Sequence, residues 1–302
     1  MKIFITGGTG FVGSALTKVF TANGHTVGIL SRPGETRPAL PAGAAYMDGD
    51  PTREGSWQNA AAGYDVFVNL AGATIFSRWT PERKKAILES RIRTTRNLVD
   101  ALLRAGKGER TLLSTSAVGF YGFHGDEEIS EEETSGEDFL AGVAAQWEAE
   151  ALRAQSHGVR VAICRFGIVL GRNGGALGQL VPLFRFRLGS RLGNGRQWFS
   201  WVHEDDLARI FLLLIERKDL AGPFNCTAPS PVRNSELTAA MARVLGVSVV
   251  LPPVPSFMMK LVMGEFADIL LKGQRVLPQR LLRAGFSFRF PVIDAALGDL
   301  VR

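Results

Sequence analysis

Cysteine is nearly absent from this sequence. Cys164 and Cys226 are the only two, they lie far apart, and neither belongs to a Cys-x-x-Cys or other metal-type spacing. That usage excludes a disulfide framework, gives no sign of a metal site, and fits a reducing, cytoplasmic setting. Long apolar runs are also missing. The best of them, Ile210 to Ile215, falls far short of the roughly 18–20 residues that span a bilayer, so no membrane partner is expected. The apolar N-terminus breaks at Gly7-Gly8 before an h-region forms, so no secretory leader is expected either. There is no internal repeat and no low-complexity tract.

Charge is unbalanced but not patterned. Lysine and arginine number 35 against 29 acids, for a net charge of +6 and a pI near 9.6. The basic residues are scattered rather than striped and no nucleic-acid motif accompanies them, which argues against nucleic acid as a partner. A cationic surface suits an anionic cofactor or small-molecule substrate at least as well. With 302 residues and 46% hydrophobic content, the chain can bury a full core, as two ordinary domains or as one large α/β domain with an appended lobe.

What is present is glycine, and in one place it is dense. Residues 2–6 read as a short buried strand, Ser14 to Asn23 as a helix with Leu16, Val19 and Phe20 on one side, and Gly7-Gly8-Thr9-Gly10-Phe11-Val12-Gly13 joins them. Such a turn brings a helix N-terminus, with its unpaired N–H groups and positive dipole end, to the strand's carboxyl edge, where a pyrophosphate can sit. Gly7 permits the turn, Gly10 lets backbone approach phosphate, and Gly13 lets the helix pack close to the sheet. The competing reading is a tight turn without a ligand.

The second strand, His25 to Leu30, decides cofactor type. NAD-binding units carry an acidic residue at its end, whereas this one ends in Ser31-Arg32. A guanidinium with no carboxylate beside it fits a 2′-phosphate, so NADP(H) is expected. Further on come a weak strand at 44–47, a helix around 53–62, and a buried strand from Val66 running into Ala71-Gly72. Asp50 reads either as an adenine contact or as an ordinary turn residue. A long basic helix spans Pro81 to Ala105, and Arg110 to Ser114 is the next strand. Residues 126–138 hold eight carboxylates, which reads as a mobile solvated loop. A helix over 138–157 and a strand over 159–165 follow. Beyond them, Ala176 to Arg191 reads as a helix with Arg185, Arg187 and Arg191 near its end, and His203 stands at the start of a helix ending near Ile215. The composition of 252–272 gives no sign of what that stretch covers.

The glycine turn, Asn69-Leu70-Ala71-Gly72, Ser114-Thr115-Ser116, Arg165 to Gly171 and Trp201 to Leu207, in this order and spacing, resemble the extended short-chain dehydrogenase/reductases. More closely the chain resembles the YfcH-type epimerase family, an atypical branch, and the likeness reaches Gly273 to Arg280 and Ala284-Gly285-Phe286. The resemblance implies a doubly wound parallel sheet of the Rossmann type over residues 1–171. A smaller C-terminal lobe over 172–302 would return elements to the sheet. It implies an NADP-dependent oxidoreductase or epimerase/dehydratase-type enzyme, with cofactor contacts on Gly7, Thr9, Gly10, Phe11, Val12, Gly13, Ser31, Arg32, Leu70, Ala71, Gly72, Arg91 and Val169. It also implies a homodimer paired through the long helices.

One departure is large. Active extended members use a serine or threonine plus a Tyr-x-x-x-Lys pair, in which the lysine lowers the tyrosine pKa for proton transfer. Ser116 matches the serine. The segment 138–157 contains neither tyrosine nor lysine, and Phe139 with Val143 stands near where the pair would be. Tyr121 is a substitute acid or a wall of the pocket. The two readings that remain are an enzyme using Ser116 and Tyr121, and a non-catalytic NADP(H)-binding sensor.

Overall fold

The structure is a computed structural model and describes all residues except 105–108, 173 and 302. Seven strands make one parallel sheet: β1 (Lys2–Thr6), β2 (Thr26–Ser31), β3 (Ala44–Asp48), β4 (Val66–Asn69), β5 (Thr111–Ala117), β6 (Arg160–Phe166) and β7 (Gly222–Cys226). Their order is β7-β6-β5-β4-β1-β2-β3. The strands are apolar on both faces because helices cover both, as a parallel sheet requires. The expected doubly wound α/β fold is thus present. Its strand order reverses between β1 and β4, and ligands of such sheets bind at the carboxyl edge beside that point.

On one face α1 (Phe11–Ala22) and α6 (Glu204–Glu216) pack through Leu16, Phe20, Leu207, Phe211 and Leu214. On the other, α2 (Trp57–Ala61), α3 (Pro81–Arg104) and α4 (Phe139–Leu152) bury Trp57, Leu98, Leu102 and Ala151. A separate core joins α5 (Gly175–Arg185), α7 (Asn234–Leu245) and the last helix, Ile293–Leu300, around Trp201, Met241 and Leu297. Next to it, α8 (Ser256–Met263) buries only Met259.

Several expectations shift. α1 starts at Phe11, three residues before the expected Ser14, because Gly10 itself serves as N-cap. The end of α3 at Ala105 lies outside the described residues. Residues 222–226 supply the sheet's edge strand, paired with β6. The acidic stretch is largely solvent-facing, with Asp126, Glu127, Glu128, Glu132, Glu133 and Glu137 exposed, but it is anchored at several points. Glu128–Ile129 pairs with Arg275–Val276, buried Glu131 accepts from the backbone N–H of Asn225 and Arg280, and Asp138 caps α4. Arginines also meet it: Arg233 pairs with Asp126, Arg275 with Glu128 and Arg283 with Glu132.

Candidate functional site

The glycine turn is as tight as its sequence demands. Gly7 sits at φ 74°, and a Cβ there would stand 2.8 Å from Ala71 N. A Cβ on Gly13 would come within 2.4 Å of Gly7 O. The start of α1 has neither a side-chain cap nor an acidic residue, which leaves its first amide groups available to an anion. Phe11 and Val12 from this turn line a cleft of about 460 Å³. The ring of Phe11 lies against the backbone of Gly174 and Gly175, within contact distance of any Cβ added there.

Among the residues expected at a site, Phe11, Val12, Leu70, Gly72, Arg91, Ser116 and Val169 line this cleft. Gly7, Thr9, Gly10 and Gly13 belong to the glycine turn, and Ala71, just beyond β4, stands against Gly7. Arg91 donates from Nη1 to the carbonyls of Ala73 and Ile87 at 3.1 and 3.0 Å, and its guanidinium lies over Trp147. Burial, with Arg83 nearby, pulls its pKa down to about 10. Thr115 Oγ1, also on the cleft, is buried without a partner among the described residues. A buried hydroxyl left unpaired and a cation that burial has begun to disfavour are features that a polar anionic ligand would satisfy. The donors present therefore fit a dinucleotide.

Ser31 and Arg32 stand apart from the cleft at the end of β2. The expectation of no carboxylate beside Arg32 needs correction, because Glu35 Oε1 pairs with its Nη2 at 2.6 Å. Arg37, missed in the sequence, donates to Ser31 Oγ and pairs with Asp48. Asp50 takes the ordinary turn role, accepting from Thr52 N and Oγ1. Arg32 and Arg37 thus stand together beside buried Ser31, each balanced by an acid.

The floor of the cleft is tied to a buried polar row that the strand register creates. Ser116 on β5 lies beside Arg165 on β6, and Arg165 beside Asn225 on β7. Ser116 Oγ donates to Glu148 Oε1 at 2.6 Å, and Arg165 grips both oxygens of Glu148 at 2.9 and 2.8 Å. The third Arg165 nitrogen, Nη1, donates to Tyr121 Oη at 2.9 Å, and Tyr121 in turn donates to Asn225 Oδ1 at 2.6 Å.

Tyr121 is 1% exposed and does not line the cleft. Burial pushes its pKa up to about 12, against the pull of Arg165. Its hydroxyl is engaged by Asn225 and Arg165. The α4 residues that reach the cleft are Leu140 and Trp147, not Phe139, whose ring packs on Trp79. Glu148 was missed because a carboxylate in an apolar helix, with Glu150 two residues on, looks like a solvent-facing position. Its signal was Arg165, set near the end of a strand whose interior is apolar. The far wall comes from the C-terminal lobe, including Trp198, Ile269, Lys272 and Gln274.

Residues 3–226 match the model of the NAD dependent epimerase/dehydratase family. The chain belongs to that family. Residues 254–300 match a second model, described as a domain of unknown function, DUF1731. Family relatives align over the whole of this chain. The chloroplastic epimerase family protein SDR39U1 homolog of Arabidopsis thaliana is 39% identical over 100% of this chain and 87% of its own length. Epimerase family protein YfhF of Bacillus subtilis is 38% identical over 100% and 98%. Among solved structures, human epimerase family protein SDR39U1 (isoform 2) with NADPH superposes with a TM-score of 0.87 at 33% identity, covering 99% of both chains. The likeness to this family expected from the motifs is therefore present along the whole chain.

Proposed function

We propose that this chain binds NADP(H) across the carboxyl edge of β1 and β4 and acts on a small molecule held between the cofactor and the C-terminal lobe, as an oxidoreductase or an epimerase/dehydratase-type enzyme. The observation that carries this reading is the uncapped start of α1 opening onto a cleft whose floor presents Ser116 and Thr115. In this reading the pyrophosphate rests on the backbone of Gly7, Thr9, Gly10, Phe11, Val12 and Gly13. Leu70, Ala71, Gly72 and Val169 bracket the riboses, and Arg91 faces the phosphates. Ser31 and Arg32 take the 2′-phosphate. The NADPH bound to the human relative supports the choice of cofactor. When bound, the cofactor would supply the hydride chemistry.

The chain's own acid/base equipment is then Ser116. Its proton is held by Glu148, so it presents lone pairs to the cleft and is arranged to accept a hydrogen bond from a ligand hydroxyl. The second reading, a non-catalytic NADP(H) sensor, is favoured by one observation: Tyr121 is spent on Asn225 and Arg165, away from the ligand space. Calorimetry with NADPH and NADH, followed by NADPH consumption against a panel of carbonyl metabolites, separates the two. An enzyme binds NADPH and consumes it with at least one carbonyl. A sensor binds it and consumes none. Failure to bind either dinucleotide overturns both readings.

A further inference from the structure

Ten of the sixteen large hydrophobic side chains exposed on the described residues fall in just two stretches, 183–188 and 249–262. The backbone stitches these stretches together. Val254 N donates to Arg191 O at 2.8 Å, Gly193 N to Val254 O at 2.9 Å, and Ser190 Oγ to Pro252 O at 2.6 Å. On α8, Phe257, Leu261 and Val262 are 71%, 77% and 72% exposed, and beside α5 Phe186 is 77% exposed. Isolated exposed apolar residues need no explanation, but a concentration of this kind marks an interaction surface.

The charge of the same region selects the partner. From Gly174 to His203 the sequence has Arg185, Arg187, Arg191 and Arg196 and no acid, whereas Arg243 and Lys260 of the second stretch are balanced by Asp294 and Asp268. Arg185, Arg187 and Arg191 make no ion pair among the described residues. Arg187 is also the single non-glycine residue at positive φ among them, 58°. Its turn ends α5 and leaves Phe186, Arg187 and Leu188 all exposed. A surface with apolar side chains between unpaired guanidiniums matches the boundary of an anionic bilayer, where acyl chains meet phosphates. A second copy of the chain would set the same unpaired cations against each other.

We infer that this face of the C-terminal lobe docks peripherally on anionic membranes. Phe257, Leu261, Val262 and Phe186 enter the headgroup boundary, and Arg185 and Arg187 engage lipid phosphates. No helix among the described residues is long and apolar enough to cross a bilayer, so the association is with the surface alone.

Co-sedimentation of the full chain with phosphatidylcholine vesicles, and with vesicles of equal parts phosphatidylcholine and phosphatidylglycerol, tests this. Binding is expected only to the anionic vesicles, and it should weaken as salt rises from ~0.1 to ~0.5 M. The double variant Phe257→Glu/Leu261→Glu should lose it by more than about tenfold, and Arg185→Gln/Arg187→Gln by roughly fivefold per charge. Both variants are expected to keep the parent's circular dichroism and NADPH affinity. Folded parent protein left in the supernatant with both vesicle types overturns the inference. So does equal binding to neutral vesicles, or a micromolar dimer seen by light scattering that Phe257→Glu/Leu261→Glu dissolves, which would assign the face to a second copy.

Discussion

Ser116 Oγ donates to Glu148 Oε1 at 2.6 Å, and through that bond the floor of the cleft is held by a carboxylate that Arg165 grips from the other side. Both charged side chains are buried, at 8% and 5% exposure. Removing one member of such a pair leaves an uncompensated charge, at a cost of about 3–5 kcal/mol. Glu148→Ala should therefore lower the unfolding free energy by that amount in urea titration. The double variant Glu148→Leu/Arg165→Met should recover part of the loss, since it leaves neither charge behind. Additive losses would mean that the pair is not coupled.

Tyr121→Phe removes one hydroxyl from the middle of the same row. Asn225 loses a donor and Arg165 an acceptor, so stability should fall by about 1–3 kcal/mol. NADPH affinity and any turnover should stay within twofold of the parent, because the phenol does not face the cleft. Unchanged stability with lost turnover would return Tyr121 to an acid/base role.

Arg32 and Glu35 make opposite predictions for cofactor choice. Arg32→Ala should reduce the preference for NADPH over NADH by roughly tenfold, the loss of one charge-assisted contact. Glu35→Gln frees the same guanidinium from its partner and should strengthen NADPH binding while leaving NADH unchanged. Calorimetry on the two variants reads both. Equal discrimination in parent and Arg32→Ala would remove the residue from the site.

His203 caps α6, with Nδ1 accepting from Asp205 N, and stacks on Phe290. Burial lowers its pKa against the pull of Asp205 and other acids around it. The folded protein thus resists protonation of a ring that the unfolded chain protonates near pH 6.5. Stability should fall as pH drops below ~6.5 and level off once the folded-state pKa is passed. Melting temperatures of His203→Asn, which keeps a capping oxygen, should vary less between pH ~7.5 and ~5.5 than those of the parent. Parallel curves would assign the pH dependence to other groups.

The fold was largely legible in the sequence because its signals are local: a strand, a glycine turn and a helix in immediate succession, then apolar strands of parallel-sheet length. The cleft was partly legible for the same reason. Phe11, Val12 and Leu70 follow from their neighbours in sequence. Glu148, Asn225 and Lys272 do not, since each reaches its place through strand register or lobe packing over long separations. The burial of Tyr121 was not legible for a related reason. Its position after β5 is right for a ligand contact, but the short helix Val118–Tyr121 turns its side chain into the core beside Ile129 and Val276. The anchor points of the acidic stretch were not legible because composition alone carries no information about the amides and arginines that meet it.

Asn225 closes the polar row from β7, the last strand of the sheet to be synthesised. Until residue 226 has left the ribosome, β6 is an open edge and Tyr121 has no acceptor for its proton. A chain grows at about 5–20 residues per second, so this edge stays unpaired for seconds during translation, in a sheet whose parallel pairings already form slowly. The segment that seals the row thereby also sets the moment at which the nascent protein stops presenting a template for misassembly.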